Sequence, residues 1–184
     1  SMAQFFCDEL RKYCPKSIYS CFSGGGIYVY VHHKLYLKDK DYGPGKEIFW
    51  RRLTSCFNAF ITDLQEKFYE KHPEHKAYVK ADAINNSKRV FKSIFSVHKK
   101  YAFAVIPLDV ERITINFQDA TLPLSDEIKH KGLHWMKHGD INGSTALNNK
   151  LKEYLDQIDV KNYDESSYHD VFKLSEKAEE NFFP

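Results

Sequence analysis

The chain has 184 residues and a net charge of +2, and 42% of its residues are hydrophobic. This length fits one ordinary domain, or a small domain with an appendage, and the hydrophobic content is enough for a core. The small net charge excludes a globally basic nucleic-acid-binding protein, so that any such surface must be a local patch. No signal peptide and no membrane-spanning apolar run is evident, which predicts a cytoplasmic (nucleoid) or nuclear protein that is neither secreted nor membrane-bound.

The first half of the chain predicts a helix, a β-hairpin and a long helix. A short helix is expected over residues 3–13 and strands over 17–23 and 27–32, joined by a turn of three glycines. Apolar residues alternate along the second strand, so that Ile27, Val29 and Val31 are expected on one face and Tyr28, Tyr30 and His32 on the other. Apolar residues at helical spacing over 46–71 predict a long amphipathic helix that stops before Pro73.

The second half predicts further strands and helices without a regular alternation. Strands are expected over 77–83, 101–106 and 110–117, and helices from a cap at 86–87 to about 95 and over 126–137, 146–158 and 168–181. Such mixing favours an α+β fold over a doubly wound sheet. We expect residues 1–124 to form the core and residues 125–184 to form a C-terminal helical segment packed on or beside it.

The most informative stretch runs from Lys92 to Lys100. It contains Lys92, Ser96, His98 and Lys100, with Lys88 just upstream, and so concentrates cations and hydrogen-bond donors that suit a triphosphate or a nucleic-acid backbone. A charged loop entering a strand is the simpler interpretation. Ser96 and His98 could also form a nucleophile–base pair, but no third orienting group is evident and the lysines favour anion binding.

Two further candidates are a glycine turn and an aspartate. The glycines that follow Ser23 would let backbone amides approach a phosphate, although they lie between two strands and also suit a plain hairpin turn. Asp82 ends a predicted strand, where carboxylates often bind Mg²⁺ or Mn²⁺; a capping or solvent-facing aspartate is the alternative.

Histidines and cysteines raise the question of zinc. His130, His134 and His138 form one stripe on a predicted helix, but nearby lysines oppose metal binding and favour a solvated or phosphate-facing basic helix. The four cysteines include no CxxC pair, and we expect them to be reduced thiols in the core. A zinc site formed by the first three is the alternative, although their spacing in the sequence matches no common zinc-binding pattern. They are Cys7, Cys14, Cys21 and Cys56.

Taken together, three segments resemble, in order, motifs of the archaeo-eukaryotic primase superfamily, which comprises primase small subunits and primase-polymerases. Residues 22–29 resemble its serine-glycine hairpin, residues 79–82 resemble the strand that carries its third metal-binding aspartate, and residues 88–98 resemble its segment ending in Ser-x-His. The apolar run 102–109 continues the likeness, which covers residues 17–109. The resemblance implies a mixed or antiparallel sheet core of the primase-polymerase type with flanking helices.

The resemblance also implies a function: template-directed nucleotide addition in DNA replication. Its implied partners are nucleoside triphosphates, a single-stranded DNA template with its primer, and other replication subunits. Asp82 would be catalytic and bind Mg²⁺ or Mn²⁺. The residues implied to contact the nucleotide are Ser23, Gly24, Gly25, Gly26, Tyr28, Lys88, Lys92, Ser96, His98 and Lys100.

The chain departs from the family pattern in two places. The family's first motif, a pair of aspartates one residue apart, is missing between Ser1 and Ser17. Either the chain starts downstream of it, or the ligands come from elsewhere, or this member is inactive. In the hairpin, glycines replace basic residues and Tyr28 takes the place of a histidine, which brings a hydroxyl but no charge. A non-catalytic, nucleic-acid-binding or accessory replication subunit is therefore the alternative.

Overall fold

Three strands and four α-helices form the part of the chain that a computed structural model describes, residues 1–32, 35, 46–82, 91–136 and 144–158. The strands are β1 (Ile18–Phe22), β2 (Ile27–Val31) and β3 (Ile106–Leu108). The helices are α1 (Met2–Arg11), α2 (Lys46–Lys71), α3 (Asp126–Leu133) and α4 (Ser144–Lys152). Short 3-10 helices cover Pro73–His75, Phe117–Ala120 and Leu155–Gln157. The fold class is α+β, as the irregular order of elements predicts.

The strands form one antiparallel sheet in the order β2–β1–β3. β1 and β2 make the predicted hairpin, in which Phe22 lies opposite Ile27 at the tip. β3 pairs with the other edge of β1 and places Ile106 opposite the same Phe22. The segment that leads into β3 therefore arrives beside the hairpin tip.

The larger of two hydrophobic cores gathers side chains from α1, α2 and α4. The long helix α2 has the predicted bounds, and its buried residues recur every three or four positions, as an amphipathic helix requires: Leu53, Cys56, Phe60, Leu64 and Phe68. α1 buries Phe6 and Leu10, and α4 buries Leu147 and Leu151. Val29 and Val31 of β2 pack against this core, as their alternation predicts.

A smaller core surrounds β3 and includes α3. Ile106 of β3 is buried together with Phe22 and Ile128. Ser125 caps α3, because its Oγ accepts a hydrogen bond from the Ile128 amide at 3.3 Å. The helix ends at residue 133, before the predicted 137, and Met136 in the turn that follows has a φ of 66°. The division of the chain at residue 124 stays a prediction, as does the helix at 168–181, which lies outside the described residues.

The strand predicted over 77–83 does not form in residues 77–82. Residues 76–78 make a turn, and side chains of α2 bind the backbone that follows. The Tyr69 hydroxyl donates to the Val79 carbonyl at 2.6 Å, and the Ala81 amide donates to Gln65 Oε1 at 2.7 Å. These two side chains occupy backbone groups that a neighbouring strand would use. The predicted strand is therefore wrong here, because side chains of α2 replace the strand partner.

The strand predicted over 110–117 is also wrong, and a glutamine explains why. Gln4 of α1 donates through Nε2 to the Val110 carbonyl at 3.1 Å and accepts from the Ile113 amide at 2.6 Å. One side-chain amide thus takes the role of a neighbouring strand. Asp109 begins the irregular segment by accepting from the Glu111 amide at 2.9 Å.

The segment between residues 91 and 108 differs from two further predictions. Residues 91–95 are not helical, whereas 83–90 lie outside the described part. The strand expected over 101–106 is a true strand only from Ile106, after a single bridge between Val97 and Ala104. The φ angles of 71° at Phe95 and 54° at Ala102 break both regular patterns, because neither helix nor strand accommodates a positive φ.

Candidate functional site

The hairpin tip is a tight turn whose first glycine is required. Ser23 closes the turn, since its amide donates to the Gly26 carbonyl at 2.8 Å and its Oγ donates to the same oxygen at 3.0 Å. Gly24 has a φ of +85°, which other residues rarely adopt. Among the described residues, none accepts a hydrogen bond from the amides of Gly24 and Gly25. The tip therefore presents backbone donors rather than side chains.

His98 packs directly on this tip. A Cβ built on Gly24 would lie 2.4 Å from His98 Cβ, and one built on Gly25 would lie 3.1 Å from His98 Nε2. A Cβ on Gly26 would meet nothing within 4 Å. The first two glycines are thus needed for the approach of the imidazole, and the third is not.

The backbone around His98 holds the ring in one orientation. The His98 amide donates to the Phe103 carbonyl at 2.7 Å, and His98 Nδ1 accepts from the amides of Lys100 and Tyr101 at 3.2 and 3.3 Å. The ring also stacks on Tyr101, with centroids 4.9 Å apart and planes at 19°. Because Nδ1 accepts, the proton of the neutral imidazole lies on Nε2, which faces Gly25.

The surroundings of His98 favour its neutral form. Desolvation lowers the pKa of His98 from its ordinary value, and the charges of Lys92, Lys99 and Lys100 lower it further. A bound anion would offset these charges. Binding of a negatively charged ligand that accepts a hydrogen bond from Nε2 stays a prediction.

Lys92 joins the two segments of the site. Its Nζ donates to the Ser23 carbonyl at 3.0 Å, which places an ammonium group at the hairpin tip. Lys100 lies in the turn that follows His98, with Nζ 5.2 Å from the ring centroid of Tyr101. Lys92, His98 and the glycine amides therefore meet at the hairpin tip, where they offer the kind of donors that a phosphate group accepts. A contact of Lys100 with phosphate stays a prediction.

Ser96 is close in sequence but turned to local backbone. Its Oγ donates to the Ser93 carbonyl at 2.7 Å, while Nδ1 of His98 is occupied by backbone amides. The geometry does not pair the two as nucleophile and base, and a contact of Ser96 with phosphate stays a prediction.

Tyr28 belongs to an aromatic cluster that the sequence did not reveal. Its ring packs edge-on against Phe91 at 5.3 Å and Tyr30 at 5.9 Å, and Tyr30 contacts Trp135 at 5.4 Å. Phe91 is 42% exposed. The aromatic residues at alternate positions of β2 were the available signal. The cluster forms a second surface beside the hairpin, of the kind on which a base can stack.

Asp82 is the last described residue of the segment that follows α2. It is exposed and follows Val79 and Ala81, which pack against the larger core beside α2. Among the described residues, it belongs to no group of three metal-ligating side chains. The role of Asp82 as a ligand of Mg²⁺ or Mn²⁺ stays a prediction. Lys88 lies outside the described residues.

The structure places two of the three histidines and all four cysteines that the sequence raised as zinc candidates. His130 and His134 are neighbours on α3 and its end, with ring centroids 4.4 Å apart, whereas His138 lies outside the described residues. All four cysteines are buried and free, which confirms that they are core residues. Burial raises the pKa of Cys14 to about 12 and that of the other three to about 11, so these thiols are protonated at neutral pH.

Comparison of the chain with protein-family models, curated proteins and solved structures found no match. None of the helices in the described residues combines the length and apolarity needed to cross a membrane.

Proposed function

We propose that this chain is a primase/polymerase-type nucleotidyltransferase domain that binds a nucleoside triphosphate between the hairpin tip and His98. One observation supports the proposal above the others. The hairpin and the Lys92–His98 segment resemble two separate triphosphate-binding motifs, and they lie in direct contact although Lys92 and Ser23 are 69 positions apart. A primase-polymerase type of core is part of the same proposal.

Each residue of the site has a definite task in this proposal. The ammonium of Lys92 and the Nε2–H of His98 bind phosphate oxygens, and the amides of Gly24 and Gly25 fix the orientation of the phosphate chain. The site supplies positioning and charge stabilisation, which are the main contributions that proteins make to phosphoryl and nucleotidyl transfer. Lys100 adds charge at the edge.

The predicted divalent ion belongs to the proposal as well. When bound with the nucleotide, Mg²⁺ or Mn²⁺ would supply charge neutralisation at the phosphates, and Asp82 is the predicted protein ligand. The partners proposed for the domain are a single-stranded DNA template, its primer and other replication subunits.

A non-catalytic subunit with the same fold is the second candidate. It is favoured because Asp82 belongs to no group of three metal-ligating side chains among the described residues. Such a protein would keep the anion site and bind nucleotide or nucleic acid without extending a primer.

The test is the binding of a fluorescent nucleoside triphosphate to the full chain, with and without Mn²⁺. We expect Lys92→Met and His98→Ala each to weaken binding about tenfold or more, since a hydrogen bond to a charged group contributes about 1.5–3 kcal/mol. Lys12→Met is the matched control, because Lys12 is an exposed lysine paired with Glu9 at 2.6 Å.

The outcomes separate the candidates. Metal-enhanced binding that is lost in Asp82→Ala, together with primer extension on a DNA template, supports the catalytic proposal. Binding that depends on Lys92 and His98 but not on metal or Asp82 favours the non-catalytic subunit. Binding that is unchanged in the Lys92 and His98 variants, or is absent from the wild type, refutes both.

A further inference from the structure

Two histidines and a glutamate converge just after the C-terminus of α2. His72 Nδ1 lies 3.7 Å from Glu74 Oε1, and His75 Nε2 lies 3.6 Å from the same oxygen. The three ligand atoms all lie within 4.8 Å of one another. No motif in the sequence draws attention to this group, and it contains none of the residues proposed to bind nucleotide.

These separations suit the coordination sphere of zinc. Zinc binds histidine nitrogen at about 2.0–2.1 Å and carboxylate oxygen at about 2.0–2.2 Å, so that neighbouring ligand atoms in a tetrahedron lie about 3.3–3.5 Å apart. The two nitrogen-to-oxygen distances are only slightly longer. Two imidazoles and one carboxylate form a ligand set that zinc uses when it keeps an open coordination position for water.

The backbone holds the three residues in a fixed arrangement. Pro73 starts the 3-10 helix that carries Glu74 and His75, and the His75 amide donates to the His72 carbonyl at 3.0 Å. Phe68 contacts both imidazoles: its ring centroid lies 4.9 Å from that of His72 and 5.8 Å from that of His75, the latter nearly parallel at 15°. Metal binding would start from this arrangement and draw the ligand atoms closer, from separations of up to 4.8 Å.

The neighbouring lysines are directed to other partners. Lys71 places its Nζ 5.2 Å from the ring centroid of Phe5, and Lys76 places its Nζ 3.9 Å from Glu66 and 5.7 Å from the ring of Tyr69. The cations that flank the cluster in sequence thus have contacts of their own. Within the cluster, the charge is the carboxylate of Glu74, which favours a cation.

We propose that His72, Glu74 and His75 form a zinc-binding site on the surface of the protein. The nitrogen ligands favour zinc over Mg²⁺ or Mn²⁺, which prefer oxygen donors. Exposure of the three side chains leaves the remaining coordination positions to water. The proposal does not depend on nucleotide binding.

Isothermal titration of the metal-free full chain with zinc tests the proposal. We expect binding at this site to be weakened more than about 100-fold by His72→Ala or His75→Ala, since even loss of an outer-shell partner costs about 10–100-fold. Glu74→Gln keeps the side-chain shape but removes the charge, and should also weaken binding. All three positions are exposed, and unchanged circular dichroism will show that the variants fold.

The matched control removes the other close histidine pair. His130 and His134 are also neighbours, but Asp126 on the same helix is paired with Lys129 at 2.9 Å and does not complete a group of three. The double variant His130→Ala/His134→Ala should keep the zinc site of the wild type. The proposal is overturned if wild-type protein binds no zinc, if His72→Ala and His75→Ala bind it as the wild type does, or if only the control variant loses it.

Discussion

Replacement of Gly24 by alanine should destabilise the protein, whereas the same change at Gly26 should not. Gly24 has a φ of +85°, and a left-handed conformation costs a non-glycine residue about 1–2 kcal/mol. The new Cβ would also lie 2.4 Å from His98 Cβ, an atom close to the backbone that cannot rotate away. Relief of such overpacking costs about 1–3 kcal/mol more.

The reduced entropy of the unfolded chain offsets about 0.4–1 kcal/mol of this cost. The net loss in the free energy of unfolding should be about 1–4.5 kcal/mol, which corresponds to a decrease in Tm of about 2–18 °C for a protein of this size. Urea and thermal unfolding of Gly24→Ala, Gly26→Ala and the wild type measure it. Gly26→Ala should stay within about 0.5 kcal/mol of the wild type, because its Cβ enters open space. Equal stability of the two variants would show that the hairpin tip does not pack on His98.

Three more results are expected. Gln4→Ala should lower the free energy of unfolding by about 1–3 kcal/mol, because it leaves two backbone groups of the 110–113 segment without their hydrogen-bond partner. Gln157→Ala removes one exposed hydrogen bond of 3.5 Å and should have little effect. Urea titrations compare the two variants with the wild type. The pKa of His98 is lowered in the folded chain from 6.5, so the unfolded chain is protonated first as the pH falls below that value. The free energy of unfolding should therefore decrease as the pH falls there. This part of the pH dependence should be absent from His98→Asn when unfolding is followed from about pH 8 to pH 5. The four buried thiols should react with a thiol reagent at about pH 8 only when urea unfolds the chain, and rapid labelling of the native protein would contradict their burial.

Local hydrophobic patterns predicted the helices and strands that need only a buried apolar face to form. The spacing of Leu53, Phe60 and Phe68 is enough to define α2, since a helix satisfies its own backbone and needs only one apolar face. The hairpin was equally visible, because alternation and a glycine turn specify both strands and their register. These are properties of neighbouring residues, which a single sequence shows.

The predicted strands failed where distant side chains replaced a strand partner. Nothing in residues 110–113 shows that Gln4 will bind their backbone, and nothing in 79–81 shows the contributions of Gln65 and Tyr69. A strand is completed by its neighbour, so the same local pattern is compatible with a sheet or with an irregular segment fixed by amides and hydroxyls.

The candidate site was predicted in part. Sequence motifs singled out Ser23, Lys92 and His98, and the structure brings all three to the hairpin tip. The stacking of Tyr101 on the imidazole and the two amides that hold Nδ1 were not foreseen, because both depend on the tight turn after His98. An aromatic residue three positions after the histidine was the available signal.

The packing of His98 on Gly24 also constrains how this protein can change during evolution. A substitution at either position alters the space that the other needs, since the two residues meet at the Cβ atom itself. Homologues with a side chain at position 24 should therefore carry a smaller residue at position 98 or a displaced turn. The residues at positions 24 and 98 should therefore covary among homologues.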